Sequence, residues 1–130
     1  MTTINDVLDR AAAVRRDALD REIKAAWLMD LDGQLTEQVL ARHRAAPGEG
    51  THVTPRSWPE DSDLPLAAQP PYDRLYDLYL FAMLDMVNRE SANYNNSVTA
   101  YEAALDAWKK HYHRTHMPLG PGERQGGEGT

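Results

Sequence analysis

Hydrophobic residues recur at helical spacing in four stretches of this 130-residue chain, and the first two stretches lie before residue 45. Thr3 followed by Asp6 has the spacing of a capping box, which predicts a first helix that begins after Thr3. A second helix is predicted to begin at Asp17 or Asp20 and to run to about Arg44. The predicted inner face of the first helix is Ile4, Val7, Leu8, Ala11 and Val14, and that of the second is Ile23, Trp27, Leu28, Leu31, Leu35 and Val39.

Two further helices are predicted after residue 71, separated by a polar hinge at residues 93–97. Pro70 and Pro71 set the entry of the third helix, which is apolar enough to be central in the fold. The fourth helix is predicted to be ended by Pro118. The stripe of the third helix is Leu75, Tyr79, Ala82, Met83, Met86 and Val87, and that of the fourth is Tyr94, Val98, Tyr101, Leu105, Trp108 and Tyr112. We interpret the aromatic stripe of the fourth helix as a packing surface.

Glycine and proline mark the interruptions of these patterns. Gly33 lies inside the second helix, where it is either tolerated or marks a bend or a close helix contact. Residues 46–71 hold most of the chain's eight prolines and predict a long loop in which residues 51–53 and 64–67 pair only briefly. Trp58 in this loop either folds back on the helices as a plug or anchors a partner. Residues 119–130 are rich in glycine and predict a disordered tail.

The predicted fold is therefore all-α: a small four-helix bundle in one domain, residues 1–118, with a Pro-rich loop between helices 2 and 3 and a flexible Gly-rich carboxyl-terminal tail. The formal net charge is −6 and the pI is near 5.3, so the average surface repels phosphate backbones and direct nucleic-acid binding is not expected. The chain has no cysteine, which excludes disulfides and thiolate sites. Without a signal-like or long apolar segment, we expect a soluble intracellular protein that makes no contact with a membrane.

Three histidines near the end of the fourth helix raise the question of a metal site. Only His113 and His116 share a helical face, His111 diverges from His113, and no carboxylate follows at ligand spacing. We therefore predict no metal and no cofactor. The preferred role for His113, Arg114 and His116 is cationic or polar, complementing the negative end of the helix, with a partner carboxylate as the second interpretation.

The remaining polar candidates have structural explanations of their own. Asp30 with Asp32, and Asp73 with Asp77, are spaced like paired catalytic carboxylates but are interpreted as solvated helix faces. No motif for phosphate binding, nucleophilic hydrolysis or zinc-dependent proteolysis is present, so we predict a protein that is not an enzyme. Asn95 and Asn96 either cap backbone groups or, together with Tyr94, touch a neighbouring copy of the chain.

Several runs of the chain resemble the head-tail connector (adaptor) proteins of long-tailed bacteriophages and prophages. The similar residues are Pro71, Tyr72, Asp73, Leu75 and Tyr76, then Tyr94, Asn95, Asn96, Ser97, Tyr101, Ala104 and Trp108, then the run Arg114, Thr115, His116, Met117 and Pro118, and in the first half Ile4, Val7, Leu8, Trp27, Leu28, Asp32 and Gly33. The resemblance covers most of the chain except the Pro-rich loop and the tail. These are structural motifs without a catalytic residue.

The resemblance implies a homo-oligomer, commonly a twelve-membered ring, that is made in the host cytoplasm and sits in the virion neck. There it would join the portal protein to stopper or tail-completion proteins, and DNA would pass through it without sequence-specific binding. One alternative is a helical regulatory protein that binds a host factor through its aromatic stripe and forms no ring. A weaker alternative is a small metal-dependent enzyme that uses the carboxyl-terminal histidines.

Overall fold

The computed structural model describes residues 1–15, 19–44 and 56–119, and this part of the chain is a small all-α bundle. The helices are α1 (Ile4–Val14), α2 (Arg21–Gln38), α3 (Arg74–Val87) and α4 (Ser91–Thr115), with a 3₁₀ turn at Leu40–Arg42. The described residues contain isolated β-bridges but no strand. None of these helices is both long enough and apolar enough to cross a membrane.

The capping box predicted for α1 is present. The Thr3 hydroxyl accepts from the Asp6 amide, and the Asp6 carboxylate accepts from the Thr3 amide at 3.0 Å. The inner face of α1 is buried as predicted up to Ala11. Val14 was predicted to share that face but is 73% exposed, because the helix ends there and Arg15 continues in an extended conformation.

Helix α2 is shorter than predicted. Asp20 is its N-cap, the alternative start at Asp17 lies outside the described residues, and the helix ends at Gln38 rather than near Arg44. The 3₁₀ turn replaces the last predicted turn because the His43 amide and ring take up the carbonyls of Leu40 and Val39, at 3.1 and 2.7 Å.

The inner face of α2 was also only partly predicted. Leu28, Leu31 and Leu35 are buried, but Ile23 in the first turn is exposed. The helix continues without a break through Gly33.

The turn between α3 and α4 differs from the predicted hinge. Residues 93–97 lie inside the first turns of α4, and the chain reverses instead over residues 88–90. Arg89 has a φ of 57°, the left-handed conformation that allows so short a reversal. The reversal and the 25-residue helix that follows explain why the asparagines are helical rather than capping.

The buried side of α3 is rotated from the predicted stripe. Tyr76, Leu80 and Leu84 are buried, whereas Met86 and Val87 are 50% and 48% exposed. The pattern of hydrophobic residues misses this rotation because two buried positions of α3 are aspartates, Asp77 and Asp85.

The aromatic stripe of α4 packs as predicted. Trp108 and Tyr112 are buried in the core, and Tyr101 and Leu105 pack against it. Among the described helices α4 contacts only α3, and the ring centroids of Tyr101 and Tyr79 are 5.3 Å apart across this contact. From Tyr101 onward the stripe therefore serves as an internal packing surface, whereas its first residue, Tyr94, is only half-buried.

The described part of the Pro-rich loop, residues 56–71, folds against the helices. Leu66 and Ala68 are buried, the Leu66 amide donates to Thr2 O at 2.9 Å, and Thr3 and Pro65 form an isolated bridge, which is the brief pairing predicted for residues 64–67. The pairing predicted for residues 51–53 lies outside the described residues. Of the predicted tail only Leu119 is described, and its amide donates to Arg42 O at 3.0 Å.

Candidate interaction surfaces

Among the described residues, three buried or partly buried arginine–aspartate clusters join the helices and the loop to one another. In the first, Asp32 of α2 and Arg56 of the loop are both buried, with Nε of Arg56 at 3.2 Å from Asp32 Oδ2. The other oxygen of Asp32 accepts from the Ala67 amide at 2.8 Å and from the Tyr76 hydroxyl at 3.2 Å. Arg56 also donates to the carbonyls of Leu64 and Pro65.

The pKa of Tyr76 reports on this environment. Burial raises it well above its usual value, and the neighbouring Asp32 carboxylate raises it further. The hydroxyl therefore stays protonated and acts as a hydrogen-bond donor to Asp32 while accepting from the Ala68 amide at 2.9 Å.

The second cluster joins α1 to the start of α3. Arg10 donates to both carboxylate oxygens of Asp77 and to Asp73 Oδ2, and the Thr2 hydroxyl donates to the same Asp73 oxygen at 2.7 Å. Burial acts to raise the pKa of Asp73, but the hydrogen bonds from Thr2 and Arg10 outweigh it and the pKa is lowered. The hydrogen bond to Asp77 is the largest effect on Arg10 and raises its pKa, and the contact with Asp73 raises it further.

The third cluster joins three helices. Arg15, which follows α1, is bound to Asp85 of α3, and the Ser97 hydroxyl of α4 donates to the other Asp85 oxygen at 2.8 Å. Burial opposes ionisation of Asp85, but the hydrogen bonds from Arg15 and Ser97 lower its pKa overall. The guanidinium of Arg15 also lies over the Phe81 ring.

These clusters correct the interpretation of the aspartates as solvated. Asp32, Asp73 and Asp77 are buried and paired, whereas Asp30 is exposed as predicted. The sequence analysis noted the spacing of Asp73 and Asp77 but interpreted it as a solvated face, and it passed over Asp85, eight residues after Asp77 on the same apolar helix. The arginines that pair with Asp73, Asp77 and Asp85 lie more than sixty residues away in the sequence. Residue spacing within α3 therefore could not identify these arginines.

The corner between α3 and α4 forms the first exposed surface, which we call the corner surface. It consists of Met86, Val87, Arg89, Tyr94 and Asn95, which lie around or beside an open depression of about 210 Å³. Asp85, Glu90 and Ser91 complete the lining of the depression. Met86 and Val87 were missed as surface residues because their spacing matched a buried stripe.

The predicted contact residues at this corner are only partly brought together. Tyr94 is half-buried and Asn95 is exposed, and both line the depression. Asn96 is exposed on α4 outside the depression. Trp58 lies elsewhere, partly buried and packed against the core, as expected for a plug.

The opposite end of α4 forms the second surface, where the chain after α4 pairs with the segment after the 3₁₀ turn. His43 Nε2 and His113 Nδ1 are 2.8 Å apart, and His43 Nδ1 lies 2.7 Å from Val39 O. Because a carbonyl only accepts, Nδ1 of His43 donates to it; in the neutral ring Nε2 then accepts from His113. His43 is buried, and sequence reasoning missed it as the partner of His113.

The other carboxyl-terminal candidates have separate contacts. His116 stacks on Tyr112 with centroids 3.7 Å apart, and His111 stacks on Tyr72 at 4.6 Å. Arg114 is exposed. Within the described ranges no group of three or more histidine, cysteine, aspartate or glutamate side chains is arranged to hold a metal ion.

The structure therefore has an exposed surface at each end of α4, and the helices that carry these surfaces are joined by the arginine–aspartate clusters. Comparison of the chain with protein-family models, with curated proteins and with solved structures finds no match. The resemblance to phage connectors therefore stays a prediction that rests on the residues of this chain.

Proposed function

We propose that this protein is a non-enzymatic head-tail connector (adaptor) of a long-tailed bacteriophage or prophage. In this role it assembles as a ring under the portal and joins it to stopper or tail-completion proteins. The corner surface carries the proposal, because Met86 is about half exposed and lines an open depression together with Tyr94, and Val87, the next residue in the chain, is about half exposed as well. Adjacent large hydrophobic residues next to an aromatic ring are typical of a protein contact.

The frame behind the corner surface also supports a connecting role. Asp85 lines the depression while it binds Arg15 and Ser97, so three segments are tied together directly below the surface. In the part of the chain that the structure describes, no buried polar side-chain atom lacks a hydrogen-bond partner. A surface with such support keeps its shape on docking, which suits a protein that works by shape.

The net charge is compatible with a ring around DNA. With a net charge of −6, each subunit can supply acidic groups to the lumen of the ring. An acidic lumen repels the phosphates of DNA and does not bind them. DNA would therefore pass through without sequence-specific binding.

The alternatives receive less support from the structure. A regulatory protein that binds a host factor would need its aromatic stripe free, but Trp108 and Tyr112 are buried in the core. A metal enzyme would need converging ligands, but His111, His113 and His116 contact three different rings.

The proposal is tested by mixing the purified protein with the portal protein encoded in the same genome. We expect light scattering and negative-stain images to show ring-shaped complexes. Met86→Asp should weaken binding at least tenfold, since it places a charge in the apolar contact. Ile23→Asp, an exposed isoleucine on α2, is the matched control and should bind like the wild type. If the folded wild-type protein does not bind the portal protein, the proposal is contradicted.

A further inference from the structure

We infer that neighbouring copies of this chain contact each other through opposite charges, with the basic carboxyl end of one copy against an acidic side of the next. The inference rests on the proposed function, because it assigns the contact between copies in the ring. It commits to a second copy of this chain as the occupant of the basic surface. Charge complementarity between two separate surfaces of the same subunit is the argument for it.

The basic carboxyl end consists of Arg42, Lys109, Arg114 and Met117. It is assembled by the pairing of two segments, since Arg44 N donates to Met117 O at 2.7 Å and Leu119 N donates to Arg42 O at 3.0 Å. Residues 37–44 and 106–119 together contain five lysines and arginines against two acidic residues, Glu37 and Asp106, of which Asp106 pairs with Lys110 at 3.0 Å. This local excess of positive charge stands out in a chain whose net charge is −6.

Three cations of this surface, Arg42, Lys109 and Arg114, are not neutralised within the described chain. Arg42 and Arg114 are exposed, and neither they nor Lys109 form an ion pair with any described carboxylate. Met117 beside them is 69% exposed and adds an apolar contact. The surface therefore suits an acidic partner.

The acidic side lies where α1 meets the loop and the start of α2. Asn5 of α1 donates to Asp63 at 2.8 Å, and Arg21 of α2 bonds to the Asn5 side chain at 3.0 Å and to Asp9 at 2.9 Å. The exposed carboxylates in this region are Asp6, Asp9, Glu60 and Asp63. Arg21 offsets only one of these charges.

The two surfaces lie on separate elements of the subunit. α1 and α4 each pack against α3 and do not contact each other. Contact between the two surfaces therefore joins different copies, and because the surfaces differ, the contact is heterologous and repeats from copy to copy. Such a repeat produces a ring when its rotation closes.

The contact should be weak in solution and sensitive to salt. Exposed ion pairs are individually weak, and screening shortens their reach to about 8 Å at physiological ionic strength. A portal that binds several copies side by side would raise their effective concentration and make the contact sufficient.

The experiment uses charge reversal and analytical ultracentrifugation of the full chain at low salt, both alone and with the portal protein. Arg114→Glu and Asp63→Arg should each weaken self-association about tenfold, and the double variant should recover most of it because the opposite charges meet again. Arg74→Glu and Glu102→Lys are the controls, with the same changes in net charge at exposed positions that belong neither to these two surfaces nor to the corner surface. Circular dichroism checks that each variant is folded.

The outcomes separate the inference from the proposed function. Loss in both single variants, recovery in the double variant and no effect in the controls support the charged contact. If Arg114→Glu and Asp63→Arg both still form rings on the portal as the wild type does, the inference is overturned and the connector proposal is retained. A wild-type protein that neither self-associates at low salt nor binds the portal overturns both.

Discussion

Arg10 holds Asp77 through two parallel hydrogen bonds, with Nε at 2.8 Å from one carboxylate oxygen and Nη2 at 2.6 Å from the other. This bidentate geometry is the strongest form of the arginine–carboxylate contact. Asp77 is buried and comes from the first turn of α3, whereas Arg10 comes from α1. The contact therefore fixes the position of α3 relative to α1.

The first prediction concerns this pair. A double-mutant cycle of Arg10→Ala and Asp77→Ala, measured by urea unfolding, should give a coupling energy of about 1–2 kcal/mol, because Asp77 is buried but Arg10 remains partly exposed. The matched control is the exposed pair Lys110 and Asp106 at 3.0 Å, whose cycle should give about 0.3–0.5 kcal/mol. Equal coupling energies in the two cycles would refute the special role of the buried pair.

The second prediction concerns the buried arginine of the loop. Arg56→Leu should lower the free energy of unfolding by about 3–5 kcal/mol, since it removes the buried guanidinium that pairs with the buried Asp32 carboxylate. Arg56→Lys should recover little, because a lysine lacks the planar donors that reach both Asp32 and the carbonyls of Leu64 and Pro65. Arg74→Leu, at an exposed arginine, should change stability by less than about 0.5 kcal/mol. A stable Arg56→Leu protein would contradict the assignment.

The third prediction is a loss of stability in acid. The pKa values of Asp73 and Asp85 are lowered in the folded chain, so their contribution is present above the unfolded value of about 3.9 and is lost as pH falls below it. Urea unfolding between about pH 5 and pH 2 measures this decline. Asp85→Asn should be less stable at neutral pH and should decline less steeply in acid. An unchanged acid slope in that variant would argue against the lowered pKa of Asp85.

The fourth prediction is a loss of stability in alkali. The pKa of Tyr76 is raised in the folded chain, so stability is present below the unfolded value of about 10 and declines above it, as unfolded chains lose the proton first. Burial and the neighbouring Tyr79 raise the pKa of Tyr101 to about 12, which adds to the same decline. Tyrosinate absorbance and unfolding measured together should show Tyr76 ionising only on unfolding. Tyr76→Phe should weaken the pH dependence, and normal titration of Tyr76 in the folded protein would contradict its burial.

The fold could be predicted from the sequence where local chemistry decides it. The capping box of Thr3 and Asp6 and the aromatic stripe of α4 depend on residues within one helix, and both are present in the structure. The predicted end of α2 near Arg44 was wrong because the His43 ring binds the carbonyl of Val39, which a continuing helix would use. The predicted position of the hinge, residues 93–97, was wrong because the chain reverses at Arg89. This residue adopts a left-handed conformation that an arginine does not favour.

The candidate surfaces were less predictable than the helices. Tyr94, Asn95 and Arg114 were proposed from sequence and lie at the two ends of α4, but Met86 and Val87 were assigned to the core. Hydrophobic spacing identifies residues on one face but not which part of that face another element covers. The pairing of distant arginines with the aspartates of α3 decides how that helix is rotated, and this information is tertiary.

The pairing of α1 with α3 also has a consequence for synthesis on the ribosome, where the amino-terminal part of a chain emerges first. Arg10 and Arg15 are translated before Asp73, Asp77 and Asp85, so the guanidinium groups are already present when the carboxylates leave the exit tunnel. Each acidic group of the third helix can be matched as soon as it is buried. A nascent chain lacking its first fifteen residues would have neither Arg10 nor Arg15 to pair with these three carboxylates.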